Sequence, residues 1–186
     1  MRRIVLAIIA AVLVMPATAN AKTCTKQTTG TCRSEGKTYK IANRAKTLRL
    51  ESIAVKIIGK HAVATTIGPF SPDFPMDVAT AKGRYVTFVV TVTNRGLVPV
   101  DTILDMEFGL RLGRARYEDA FTAENLIGAP SLINMGENNK IQPGLSATGY
   151  IAFDVAKERT ALVRTSGSLL VEDESDRRLG MIRTYR

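Results

Sequence analysis

The chain has 186 residues, 45% of them hydrophobic and 23% charged, with a formal net charge of +9, one histidine, two cysteines and no tryptophan. The length suits one domain with a real core, and a lone His61 excludes multi-histidine metal sites and routes any Ser-His-Asp triad through itself. The positive charge favours association with lipid headgroups, lipopolysaccharide phosphates, acidic glycans or nucleic acid, and has no bearing on fold.

Arg2 and Arg3, the apolar run Ile4 to Met15, then Pro16 and Ala19-Asn20-Ala21 follow the order of a secretory signal peptide, predicted over residues 1–21. The apolar run stops well short of the about 20 residues a spanning helix needs, so no transmembrane segment is expected after cleavage. Lys22 and Thr23 separate the cleavage box from Cys24, which argues against lipid anchoring. Cleavage leaves 165 of the 186 residues and a charge of +7, since only Arg2 and Arg3 are lost. The expected location is periplasmic or extracellular. In such an oxidising compartment Cys24 and Cys32 are expected to form a disulfide, worth roughly 2–3 kcal/mol by chain entropy. A redox pair would want C-x-x-C at a helix start, which this spacing is not.

Residues 22–46 are rich in Thr, Lys and Gly without sustained periodicity and read as an extended polar arm, stapled locally by the disulfide. A β-sandwich is predicted over 47–171. Leu48 and Leu50 share one parity and Ile53, Val55 and Ile57 the other, which predicts a β-bulge near Glu51-Ser52. Gly59, Gly68-Pro69, Ser71-Pro72, Pro75 and Gly83 predict a long surface loop over 59–83. Arg84 to Asn94 is the clearest strand, with Val86, Phe88, Val90 and Val92 on one face and Tyr85, Thr87, Thr91 and Thr93 on the other.

After the Asn94-Arg95-Gly96 turn, Leu104, Met106, Phe108, Leu110 and Leu112 are expected inward, with Asp105, Glu107 and Arg111 outward. Gly113 turns the chain into a hairpin partner over Arg114 to Tyr117, and 118–140 reads as irregular with one helical turn around Phe121 to Leu126. Gln142-Pro143-Gly144 is a turn, and Leu145, Ala147, Gly149, Ile151, Phe153 and Val155 then alternate with Ser146, Thr148, Tyr150 and Asp154 as a core strand. Leu162-Val163 and Leu169 to Val171 predict a final strand or pair, followed by an acidic turn at Glu172 to Asp176. Residues 172–186 form a charged tail in which Leu179, Met181, Ile182 and Tyr185 supply an edge strand. About seven short strands between turn signals predict an all-β, immunoglobulin-like, two-sheet antiparallel β-sandwich.

Gly83-x-Tyr85-Val86 through Val90-Thr91-Val92-Thr93-Asn94-x-Gly96, the Leu110 to Tyr117 hairpin, and Pro143-Gly144 with Gly149-x-Ile151-x-Phe153-Asp154-Val155 resemble the telokin-like domain family of bacterial exported proteins. The resemblance covers roughly residues 46–171. It implies an immunoglobulin-like sandwich behind a signal peptide or lipoprotein anchor, with no established catalytic activity and no catalytic residues to carry over.

The residues themselves offer little chemistry. His61 lies between Lys60 and Ala62 at a predicted strand end, without a G-x-S-x-G elbow, and reads as an exposed or locally satisfied imidazole. Asp105 and Glu107, two apart on a strand, have Cα atoms about 7 Å apart and permit glycosidase-like carboxyl spacing, but outward carboxylates on a sandwich are usually solvated. Glu172, Asp173, Glu174 and Asp176 lack a D-x-D-x-D-G loop and read as a charged turn in preference to a Ca²⁺ site. Met76, Met106, Met135 and Met181 are too scattered for a soft-metal box. Lys22, Lys26, Arg33, Lys37, Lys40, Arg44 and Lys46 could follow an anionic polymer, but Tyr39 is the only aromatic among them, and export argues against nucleic acid.

No catalytic residue, cofactor or metal is therefore expected. The leading expectation is an exported non-enzymatic module that binds a protein or an anionic envelope component through the 59–83 loop or the basic arm. A carboxylate hydrolase using Asp105 and Glu107 is the alternative from another class, and an assembly subunit pairing through edge strands is a third.

Overall fold

Period-two alternation dominates the sequence, and the computed structural model answers it with strands. It describes residues 23–25, 28, 30–34, 36–68, 73, 78–120, 123, 124, 126, 140–174 and 178–185. In chain order the elements are β1 (Thr31–Ser34), β2 (Lys37–Ala42), β3 (Leu48–Arg49), β4 (Ile53–Ile67), β5 (Ala79–Asn94), β6 (Val100–Asp101), β7 (Met106–Leu112), β8 (Ala115–Glu118), β9 (Lys140–Ile141) and β10 (Ser146–Val155). A 3₁₀ helix (Lys157–Arg164), β11 (Gly167–Asp173) and β12 (Arg178–Arg183) complete the order. One sheet runs β1-β2-β12-β11-β7-β8 and the other β10-β5-β4-β3, with β6 and β9 pairing separately.

The two sheets enclose one apolar core, as an all-β sandwich requires. Val86, Phe88, Val90 and Val92 of β5 and Ile151, Phe153 and Val155 of β10 meet Phe108, Leu110 and Leu112 of β7, Leu169 and Val171 of β11 and Ile182 of β12. Phe88 and Phe153 pack edge to face, their centroids 6.1 Å apart. Gly180 closes the sheets near β3, because a Cβ there would overlap the Leu48 side chain.

The outer faces carry cores of their own. Leu170 of β11 pairs with Met181 of β12, Met181 with Ile41 of β2, and Tyr39 of β2 with Cys32 of β1, giving an apolar stripe across four strands. The Cys24–Cys32 disulfide lies over this stripe, with Cys32 fully buried. On the outside of the other sheet Ile67, Ala79, Tyr85 and Ala152 are buried together with Ala123.

Several expectations need correction. The 22–46 arm is not outside the fold: β1 and β2 are part of the six-stranded sheet, and the disulfide belongs to a buried cluster instead of serving as a local staple. The tail does not form an edge, since β12 sits between β2 and β11, and its pairing with β2 is parallel, so the sheet is mixed. Glu172 and Asp173 end β11 and are buried, so no acidic turn begins there.

The parity switch at Glu51-Ser52 is a turn between paired strands, with Leu48 opposite Val55, instead of a bulge. Residues 59–83 are not one loop, because β4 continues to Ile67 and β5 begins at Ala79. The actual irregularities are register shifts between Ile58 and Ala62 and between Ala64 and Thr66, the first holding Gly59 at φ +71°. Leu104 and Leu145, expected inward, are 75% and 60% exposed, because each lies in the turn just before its strand begins. Leu162 and Val163 belong to the 3₁₀ helix. The proposed signal peptide, Lys22, Lys26, Met76, Met135 and Asp176 lie outside the described residues.

Candidate cationic groove

Strand directions sort charge to the two ends of the sandwich. β12 ends at Arg183, β2 ends beside Ile182, and β7 ends at Leu112 opposite Gly167, where β11 starts. The residues that follow these ends therefore gather together. Arg44 and Ala45 come from the β2–β3 connection, Arg164 from the last turn of the 3₁₀ helix, Tyr185 from just beyond β12, and Gly59 and Lys60 from the bulge in β4. With Ile57 they line a groove of 690 Å³.

Arg44 is held in place by neutral acceptors, donating Nη1–H to the Thr184 carbonyl at 2.9 Å and Nη2–H to the Gly59 carbonyl at 2.7 Å. Carbonyl oxygens orient a guanidinium without cancelling its charge. Ion pairs among the described residues are Lys37–Glu172, Arg116–Glu107 and Arg116–Glu172, so none involves Arg44, Lys60 or Arg164. Tyr185 also lines a neighbouring cavity of 220 Å³ with Arg111 and Arg183. Arg183 there donates to Asn43 Oδ1 and to the carbonyls of Thr25 and Thr28, again to neutral oxygens.

His61 stands one residue beyond Lys60, its ring 5.9 Å from that of Phe88. The expected exposed or locally satisfied imidazole is half-buried, and its Nδ1 is buried without a hydrogen-bond partner. Burial, then the charges of Arg164 and Arg44, push its pKa below the ordinary imidazole value.

The predicted carboxylates are engaged elsewhere. Asp105 Oδ2 accepts the Asp101 N–H at 2.8 Å, closing the turn before β7, while Glu107 pairs with Arg116 at 3.0 Å. Glu107 lies opposite Glu172 in the β7–β11 register, and with Glu174 their carboxylates converge within 4.8 Å. Lys37 and Arg116 both reach Glu172. Asp173 accepts a hydrogen bond from the Ser52 hydroxyl. Of the basic arm, Arg44 reaches the groove and Lys37 joins this acidic network; Met106 and Met181 are core residues.

Sequence reasoning missed two features. Arg164, Lys60 and Tyr185 are far apart in the chain, and only strand directions bring them to Arg44. Glu124 lies in the stretch read as irregular, yet it is 2% exposed and its Oε1 accepts the Ala152 N–H at 2.6 Å. Burial pushes its pKa up to about 8; the Ala152 hydrogen bond opposes this rise and the nearby Asp119 charge adds to it. Burial also raises Asp119. A carboxyl flanked by Ala120, Ala123 and Leu126 at near-helical spacing was the available signal.

No family model and no curated protein matches the chain. Solved structures do. A conserved hypothetical protein of Bacillus anthracis superposes with a TM-score of 0.51 at 10% identity, over 71% of this chain and 89% of that one. A functionally unknown protein of Listeria monocytogenes gives 0.50 at 14% identity, over 71% and 73%. A secreted protein of Mycobacterium tuberculosis gives 0.49 at 14% identity, over 78% and 97%. The first two likenesses speak to fold alone, and agree with an all-β sandwich. The telokin-like family is not shown by these comparisons, which support the sandwich fold only.

Proposed function

We propose that this chain is an exported, non-enzymatic β-sandwich that binds a phosphate-bearing headgroup of the cell envelope in the groove of Arg44, Lys60 and Arg164. One observation carries the reading: three cations from three separate elements line one groove, and none has a carboxylate partner among the described residues. Arg44 is half-buried while Lys60 and Arg164 are exposed, and cations gathered together without a carboxylate partner draw an external anion. Ile57, Ala45 and Tyr185 add an apolar wall suited to the body of an amphipathic ligand. The Cys24–Cys32 disulfide fits export, and no helix among the described residues is long and apolar enough to cross a membrane. The non-enzymatic part is supported by Asp105 and Glu107, the alternative's catalytic pair, being committed to a turn and to Arg116.

The test is co-sedimentation with vesicles of phosphatidylglycerol against vesicles of phosphatidylcholine. Binding to the anionic vesicles alone is expected, lost in about 0.5 M salt, where screening shortens to a few ångströms. Arg44→Gln, Lys60→Gln and Arg164→Gln combined should abolish it. A folded triple variant that sediments like the wild type would overturn the groove as the site.

A further inference from the structure

The groove has a titratable neighbour that the binding reading leaves unused. His61 does not line the groove, but follows Lys60, which does. Arg44, from the β2–β3 connection, donates to the Gly59 carbonyl at 2.7 Å, two residues before His61; Arg164 from the 3₁₀ helix and Tyr185 beyond β12 line the groove with it, Lys60 precedes His61 on its own strand, and β5 presents the uncharged Phe88 ring. Its buried Nδ1 has no acceptor, so nothing within the fold rewards a second proton there. The same two guanidiniums that would hold an anion are the charges that repel a proton from this ring.

We infer that anion capture in the groove and proton uptake at His61 are coupled, so that the site grips a phosphate- or sulfate-bearing group more tightly in mildly acidic than in neutral solution. This rests on the groove being the anion site. The coupling is electrostatic: an anion between Arg44 and Arg164 offsets the field they place on the imidazole, and the protonated ring in turn adds a positive charge behind the anion. Linkage makes the two effects equal, because whatever factor the anion adds to proton affinity the proton adds to anion affinity. Burial and the nearby guanidiniums hold the His61 titration below the ordinary imidazole value, and occupation of the groove by an anion moves it upward.

Because His61 is the only histidine, a tag-free chain has one imidazole to follow by proton NMR. Sulfate is the probe, since it does not itself titrate between about pH 5.5 and pH 7.5, whereas phosphate does. The His61 midpoint is expected to rise when sulfate is added, and sulfate to bind roughly threefold to fivefold more tightly at the lower pH, a modest coupling for a partly solvated pair. His61→Gln should flatten that dependence, and because it leaves Glu124 and Asp119 in place it subtracts their titrations. Arg164→Gln should raise the midpoint without any sulfate.

A midpoint unmoved by saturating sulfate, or a His61→Gln variant with the wild-type pH dependence, would overturn the coupling while leaving the groove reading intact. Absence of sulfate binding at either pH, together with an Arg164→Gln variant indistinguishable from wild type in the sulfate titration, would overturn both. The midpoint measurement needs no variant, so a misfolded His61→Gln would still leave the coupling open to refutation.

Discussion

The two ends of the sandwich treat charge in opposite ways. At the end where β11 finishes, Glu107, Glu172 and Glu174 crowd together, and Lys37 and Arg116 enter the crowd as counter-ions. At the end where β11 begins, Arg44 and Arg183 are held by carbonyl and amide oxygens, and no carboxylate among the described residues forms an ion pair with Arg44, Lys60 or Arg164. Neither is a run of charge in the sequence, since each is assembled from residues far apart in the chain. The difference lies in what answers the charge: an acidic cluster compensated from within the fold is structural, and a basic one oriented by neutral oxygens is left with its field directed outward.

Glu124 tests that rule with an uncompensated acid, and should show the largest effect. Its pKa is raised to about 8 in the folded chain, so the folded state keeps a proton that the unfolded state releases from the ordinary carboxyl range upward. Stability is therefore full below that range and falls as pH rises to about 8. The loss is a few kcal/mol in all, since each tenfold difference in proton affinity between the two states is worth about 1.4 kcal/mol. Urea unfolding across pH 4.5 to 8.5 measures it. Glu124→Gln should remove most of the slope, and a slope unchanged in that variant would mean the buried carboxyl is answered by a cation after all.

Next in size, removal of the disulfide by Cys24→Ala with Cys32→Ala should cost about 2–3 kcal/mol. It should also loosen the cationic end selectively, since Thr25, one residue from Cys24, supplies a carbonyl to Arg183. Hydrogen exchange resolves the two ends, and equal loss of protection at both would break the comparison. Glu172→Ala should cost about 1–2 kcal/mol, modest because Lys37 and Arg116 remain partly exposed and can turn to water. The triple Arg44→Gln, Lys60→Gln, Arg164→Gln variant should cost about 1 kcal/mol, chiefly from the two carbonyl hydrogen bonds of Arg44, while losing anionic vesicles. A large destabilisation there would assign those cations a structural role like that of Lys37.

Much of the fold was legible in the chain. The inward stripe of β5, Val86, Phe88, Val90 and Val92, and that of β10 from Gly149 through Val155, were readable because a strand with one core face must alternate. Gly113 and Gly144 marked their turns, and both adopt the positive φ that favours glycine. The errors came where local pattern and tertiary pairing disagree. Residues 31–42 alternate weakly because, of their buried members, Cys32 and Tyr39 pack on an outer-face stripe that does not exist until Leu170 and Met181 are in place, while Ala42 faces the inner core. Gly59 looked like a chain break and is a bulge within a continuous strand.

The candidate site was far less readable. Arg44 stood in a list of seven cations, and nothing local separated it from Lys37, which the fold uses for Glu172. His61 was visible as the sole histidine, but its unsatisfied Nδ1 depends on the Phe88 ring and on charges more than 15 and 100 residues distant in sequence, Arg44 and Arg164.

By itself, then, the sequence determined that this chain is a β-sandwich with two cysteines suited to pairing, because alternation and turn chemistry act over a few residues and need no partner to be recognised. Only the tertiary structure decided which charges are spent and which are free. That outcome depends on strand order and direction, which bring Lys37 and Arg116 to the carboxylates at one end, and leave Arg44, Lys60 and Arg164 lining a groove at the other.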